Sequence, residues 1–272
     1  MADSAAVTAG GGSMKMPRVY ACEDSLEGIL SAVHAAYMSR YGHEYQSIHA
    51  GDYVESTLFT EIIYIKTDLD KATRVADAVM HKISGMAWYM IRHAAMAKDS
   101  DKADVIYHFL VRGFRVGSVV VEQLGDEYVL RLLKLYRSVQ REKQLMYGFV
   151  RFQELASGVM FAKIGPKHRQ LPLIAPHFAD RYPMENWMIY DEKRQEVCVH
   201  EVGRGWWMTD HVIPAQQVIR EVSDEQKSFE QWWKQFYKTI GIQERTNPRC
   251  RMTMMPKMYW SHLPEMTGDV EL

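Results

Sequence analysis

Cysteine is scarce in this chain: Cys22, Cys198 and Cys250 are the only three in 272 residues. They lie far apart, form no Cys-x-x-Cys pair and show no zinc-ligand spacing. That argues against a disulfide framework, a structural zinc site or an iron–sulfur cluster housed in this chain. So sparse and odd a count suits a reducing cytoplasm. Long apolar runs are missing too, since none approaches the ~18–20 residues of a membrane-spanning helix. The first residues, MADSAAVTAGGGSMKM, lack the basic start and apolar middle of a secretory signal. The expectation is a cytoplasmic protein with no membrane partner. Net charge is almost absent, at −1, so a polyanion would have to be met by a local patch rather than by the field of the whole molecule.

Familiar catalytic signatures are absent as well. There is no His-Glu-x-x-His, no Gly-x-Ser-x-Gly elbow and no phosphate loop around Gly203-Arg204-Gly205. His177, Asp180, His200, Asp210 and His211 are of ligand type but do not cluster at metal-binding intervals, and no bound metal or cofactor is expected.

What is present is core material: 47% of residues are hydrophobic and 25% charged, a globular composition. Residues 1–16, with their Gly-Gly-Gly-Ser run, read as a disordered extension or expression scar. Residues 17–266 read as a single α+β domain, and 267–272 as a tail. VYAC is strand-like. Asp24 and Glu27 have capping-box spacing ahead of an apolar 3.6-residue period that Gly42 would stop. LFTEIIYIKTD reads as a strand. Residues 68–98 form a long helical pattern broken near Gly85, and residues 102–117 another helix ending at Gly117. In residues 126–155, Leu132, Leu135, Tyr136, Val139, Met146 and Val150 share one helix face, and Lys134, Arg137, Arg141 and Arg151 the opposite one. GVMFAKI, NWMIYD and EVCVHEV then read as strands, with a short helix, LPLIAPHFADRY, after the first. Ser223 and Gln226 cap a last helix closed by Gly241. The architecture expected is α+β, mostly helical, with a small antiparallel sheet drawing short strands from both halves.

Charge is segregated in one place. From Arg131 to Gln170 there are nine basic and two acidic residues, a net +7 in a chain of net −1. Four of these cations, Lys134, Arg137, Arg141 and Arg151, share a helix face suited to a phosphate backbone. Trp206 and Trp207 follow Gly-Arg-Gly on a loop or strand edge, where an indole is placed to stack on a base. Trp232 and Trp233 sit on a helix, where core is the default. The alternative is an ordinary solvated helix face.

The segment APHFADRYPMENWMIYDEKR, residues 175–194, gathers His177, Asp180 and Arg181 on one helical turn and puts Asp191 and Arg194 beside a turn. Asp191 and Arg194 read as structural, and Asp180 is placed to pair with Arg194 or Arg181. His177, Asp180 and Arg181 are the candidate catalytic set.

Three blocks resemble a known family. VYACEDSLEGILSAVHAAY is similar to its opening Tyr-x-x-Asp-x-Ser/Thr-hydrophobic-Glu-Gly-hydrophobic-Leu, although Ala21-Cys22-Glu23-Asp24 follow Tyr20 more loosely than the pattern. PHFADRYPMENWMIYDEKR resembles His-Phe-x-x-Arg-Phe/Tyr-Pro followed by Trp-x-Ile-x-Asp-x-x-Arg. FYKTIGIQERTNPRCRMTMMPKMYWSHLPE resembles Arg-x-Asn-Pro and Met-Pro-x-x-Tyr-Trp-x-x-Leu-Pro-Glu. The family is one of DNA-metabolism or DNA-repair proteins of unknown function, encoded beside a radical-SAM protein of DNA-repair type and in some genomes fused to a uracil-DNA-glycosylase-like domain. The resemblance implies a pathway and such a partner, not a reaction, and it assigns no catalytic residue. The resulting expectation is an accessory protein that binds DNA through Lys134, Arg137, Arg141, Arg151, Trp206 and Trp207. Two alternatives stand beside it: a nuclease or base-acting hydrolase, with or without metal, using His177, Asp180 and Arg181, and a protein-binding adaptor that makes no nucleic-acid contact.

Overall fold

The computed structural model describes residues 15–51, 59–155, 157–209, 252 and 254–266. The architecture is α+β. Where the sequence suggested one domain, the chain divides into two compact units, Met1–Ala95 with Asp99–Lys134, and Met96–Lys98 with Leu135–Leu272.

The first unit contains β1 (Arg18–Cys22), α1 (Leu26–Ser39), β2 (Gln46–Ala50), β3 (Glu61–Ile65), α2 (Leu69–Lys82), α3 (Gly85–Ala94), α4 (Lys102–Val116) and the start of α5 (Glu127–Phe149). Its sheet has the order β2-β1-β3. Both pairings are parallel, with Tyr20 opposite Ile48 and Ile63. A β1–α1–β2 passage must cross over the sheet, which is why these strands pair in parallel. They therefore form their own sheet rather than joining an antiparallel one with strands of the second half. The face of α1 carrying Ile29, Leu30, Val33 and Ala36 is buried. It packs on the strands and on α2.

The cap of α1 differs from expectation. Ser25, not Asp24, is the N-cap, its Oγ accepting from the Gly28 amide at 3.0 Å. Asp24 instead meets the Lys102 ammonium at 2.5 Å. The stop is Arg40, in the left-handed region at φ 51°, rather than Gly42. The break near Gly85 is as read: Ser84 caps α3 by accepting from the Ala87 amide. Gly117, at φ 74°, ends α4.

The second unit takes the rest of α5, then β4 (Gln153–Glu154), β5 (Met160–Ile164), α6 (Leu171–Arg181), β6 (Trp187–Asp191), β7 (Glu196–Glu201) and β8 (Gly205–Thr209). The sheet order is β4-β5-β6-β7-β8. Strands β5 and β6, joined through α6, are parallel, and the other three pairings are antiparallel. Helix α6 lies against β7 and β8. Met146, Ile164, Ile174, Phe178, Trp187 and Ile189 are buried together in the core of this unit. No helix among the described residues is long and apolar enough to cross a membrane. The helix expected after Ser223, with Trp232 and Trp233, lies outside the described residues, as do Asp210, His211 and Cys250.

Candidate nucleic-acid interface

Helix α5 buries Leu132, Leu135, Val139 and Met146. Their spacing turns Lys134, Arg137 and Arg141 outward, and all three are exposed. At the helical rise they extend over about 10 Å. Among the described residues, no carboxylate lies within ion-pair distance of them.

Of the other six cations in the basic segment, four are matched to acids, while Lys143 lies over the Tyr147 ring at 5.6 Å and Lys167 has no carboxylate within ion-pair distance among the described residues. Arg131 binds Asp99 at 3.0 Å and Asp101 at 2.7 Å. Lys163 meets Glu192 at 2.7 Å, and Arg169 meets Glu196 at 3.0 Å. The hydrogen bond from Arg131 holds the Asp101 carboxyl below the usual carboxylate range. Arg151 also leaves the expected phosphate-contacting face. It stands beyond the end of α5, with Nη2 on Glu265 at 2.8 Å and Nη1 on the Gly148 carbonyl at 2.6 Å. Glu265 is buried, and such a carboxylate holds its cation because separating the pair strands a charge out of water.

Trp206 and Trp207 occupy β8, an edge strand among the described residues, and alternation sends them to opposite faces. Trp206 is half-buried and packs against the core cluster. Trp207, paired in register with Val199, is 40% exposed.

The candidate catalytic set is not assembled. The His177 ring stacks on Tyr147 at 4.0 Å, while Asp180 and Arg181 are exposed. Arg181 donates to the Tyr182 hydroxyl at 3.3 Å. No hydrogen bond joins the three among the described residues. Asp180 does not pair with Arg194. That guanidinium binds Asp191 at 2.9 Å, with Asp191 fully buried. Burial pushes the Asp191 carboxyl up, and Arg194 opposes the shift without cancelling it. His200 stacks on Trp187 and bonds through Nδ1 to the Glu185 carbonyl. Among the described residues, no group of three His, Cys, Asp or Glu side chains is placed to hold a metal ion.

Sequence reasoning missed one feature. The residues 165–170, Gly-Pro-Lys-His-Arg-Gln, lead into α6 and are braced from several sides. Glu142, buried in α5, accepts from the amides of Lys167 at 2.6 Å and His168 at 2.7 Å. It also accepts from Gln170 Nε2 at 3.1 Å and the Tyr259 hydroxyl at 2.5 Å. Burial and that bond push the Tyr259 phenol up. Arg194 donates to the carbonyls of Pro166 and Lys167. His168 accepts the Lys98 amide on Nδ1, which leaves Nε2 as the protonated nitrogen facing Ser138 Oγ at 2.8 Å. A Cβ at Gly165 would come within 2.7 Å of His262 Nε2 and 2.9 Å of Glu192 Oε1, so those side chains would have to shift to admit it. Asp191, Arg194, Tyr259 and Glu265, all from the motif blocks, thus serve to fix backbone and neutralise buried charge. The available signal was Glu142 itself, an acid three residues after Val139 and four before Met146 on the apolar face of α5.

The sequence profile of a domain of unknown function, DUF4130, matches residues 100–265, more than half of the chain. No curated protein matches. A solved structure described as a DHH domain from a member of a family of ribosomal proteins aligns at 10% identity and a TM-score of 0.31, over 69% of this chain and 74% of the other. At that score the likeness supports no conclusion.

Proposed function

The chain belongs to the DUF4130 family of domains of unknown function, and we propose that it is a nucleic-acid-binding accessory protein that contacts phosphates through Lys134, Arg137 and Arg141. One observation carries the reading: these three cations line an exposed helix face with no carboxylate partner among the described residues, whereas Arg131, Arg151, Lys163 and Arg169 are each matched to an acid. Phosphate contacts fix position without reading bases, so binding is expected to be weakly sequence-dependent. Trp207, partly exposed on β8, is the candidate for stacking on an unpaired base. The motif resemblance supports, as part of this proposal, a role in cytoplasmic DNA repair or DNA metabolism beside a radical-SAM or uracil-DNA-glycosylase-like partner. Native co-purification with such a partner, with and without damaged DNA, tests that placement. The hydrolase reading is weaker because, among the described residues, no hydrogen bond joins His177, Asp180 and Arg181, and the His177 ring is stacked on Tyr147.

Fluorescence anisotropy across a salt series tests the contact surface. Three phosphate contacts to duplex DNA give a slope of log K on log salt of about −2.7. Replacing Arg137 and Arg141 with alanine should lessen that slope by nearly two and weaken all sequences alike. Trp207→Ala should cost about 1–3 kcal/mol on single strands and leave the slope unchanged. Affinity indifferent to salt and to both arginines, in a variant with native circular dichroism, would return the face to an ordinary solvated one.

A further inference from the structure

Helices α1 and α2 of the first unit pack side by side, and with Phe114 of α4 they enclose an open-sided cavity of about 430 Å3. That lies within the roughly 300–1,000 Å3 range of ligand clefts. Its walls are apolar, formed mainly by Val33, Tyr37, Met38, Val75 and Phe114. Among the described residues its charged lining is of one sign: Arg74 and Lys82 line the cavity from α2. His34 lines it from α1. Asp70 and Asp77, the acids within α2, are not part of the lining. Arg74 and Lys82 are exposed, and among the described residues neither is held by a carboxylate. They stand eight residues apart, two helical turns, on the same face as Ala78.

We infer that this cavity binds an amphipathic organic anion, with an aliphatic or aryl body against the apolar walls and a carboxylate or phosphate head on Arg74 and Lys82. The lining supplies an apolar seat for the body and two unmatched cations for the head. It offers little for the polar edge of a nucleobase, since among the described residues of the lining His34 and Tyr37 are the only hydrogen-bonding side chains besides the two cations. This inference uses residues separate from the proposed phosphate-contacting face and does not depend on it.

Isothermal titration of the full chain with decanoate, decyl phosphate, decanol and adenosine monophosphate tests it. Both decyl anions should bind, and decanol should bind on the order of tenfold more weakly, the effect expected from two half-exposed ion pairs. The Arg74→Ala/Lys82→Ala variant should bring the anions down to the affinity of decanol and leave decanol unchanged. Ala78→Phe should fill the cavity and reduce binding of all three decyl compounds at least tenfold. The surface double variant keeps the test decisive should Ala78→Phe fail to fold. A preference for decanoate identifies a fatty-acid-like ligand, and a preference for decyl phosphate a phosphorylated one. Equal affinity for decanol and decanoate, stronger binding of adenosine monophosphate, anion affinity unmoved by the double substitution, or no binding of either anion at millimolar concentration would each overturn the inference.

Discussion

Glu142 occupies a position on α5 where an apolar side chain would ordinarily sit, and its neighbours explain why an acid is tolerated there. A buried carboxylate is costly unless its lone pairs are taken up, and here two backbone amides, an amide side chain and a phenol take them up. Glu142→Ala should destabilise the protein by about 3–5 kcal/mol, since it strands those donors away from water. Glu142→Gln, which keeps a carbonyl oxygen, should cost less, and urea unfolding of the two variants checks the ordering. The ion pair of Asp101 with Arg131 gives a pH prediction of definite sign. The hydrogen bond from Arg131 lowers the folded carboxyl below its ordinary value of 3.8. A depressed folded value contributes stability that is fully present above the unfolded value and is lost as pH falls through the folded one. The stability difference between the wild type and Arg131→Met should therefore be constant from pH 7 to about 5 and shrink below about 4. A difference that stays constant down to pH 2 would show that Arg131 acts by packing alone.

At the scale of elements, helices were legible because their signals are local. The apolar period of α5, the break near Gly85 ahead of α3 and the Gly117 stop of α4 all involve residues within a turn or two of one another. Pairing was not legible. Nothing in VYAC or EIIYI says that β1 and β3 lie in parallel, because register is set by contacts more than forty residues apart. Strand β8 was read only as a loop or strand edge, since Gly-Trp-Trp-Met-Thr has no alternation of apolar and polar residues to mark it. The candidate site divided in the same way. The periodicity of α5 identified Lys134, Arg137 and Arg141, whereas the removal of Arg151 depended on Glu265, more than a hundred residues away. Gly28, part of the opening motif, has a local explanation visible only in three dimensions. A Cβ there would approach the Glu23 carbonyl oxygen to 2.5 Å, and the opposing atom is backbone that cannot swing aside. Gly28→Ala should lower stability by about 1–3 kcal/mol in spite of the better helix propensity of alanine. Thermal unfolding of that variant provides the check, and an unchanged or raised midpoint would contradict the close approach.

On the scale of the whole molecule, 33 basic and 34 acidic residues nearly cancel, so the charge near neutral pH is decided by the 11 histidines. Unperturbed imidazoles gain a proton near pH 6.5, and a few protonations suffice to make the molecule net positive. Burial lowers His43 and His262, with His108 adding to the effect at His43 and Glu192 opposing it at His262. A lowered folded value gives a contribution to stability that is present above the unfolded value and is lost as pH falls below it. Nucleic-acid affinity at fixed salt should accordingly rise from pH 8 to pH 6, as the general repulsion of a polyanion turns to attraction. The arginines do not titrate in that range, so the affinity ratio between wild type and the Arg137→Ala/Arg141→Ala variant should stay the same at both ends. Anisotropy titrations of both proteins at pH 6, 7 and 8 separate the two contributions: histidine charge moves both curves together, and the helix face sets the gap between them. Should the gap close at pH 8, the attraction would belong to the net charge of the molecule, and the arginine stripe would not be the contact surface.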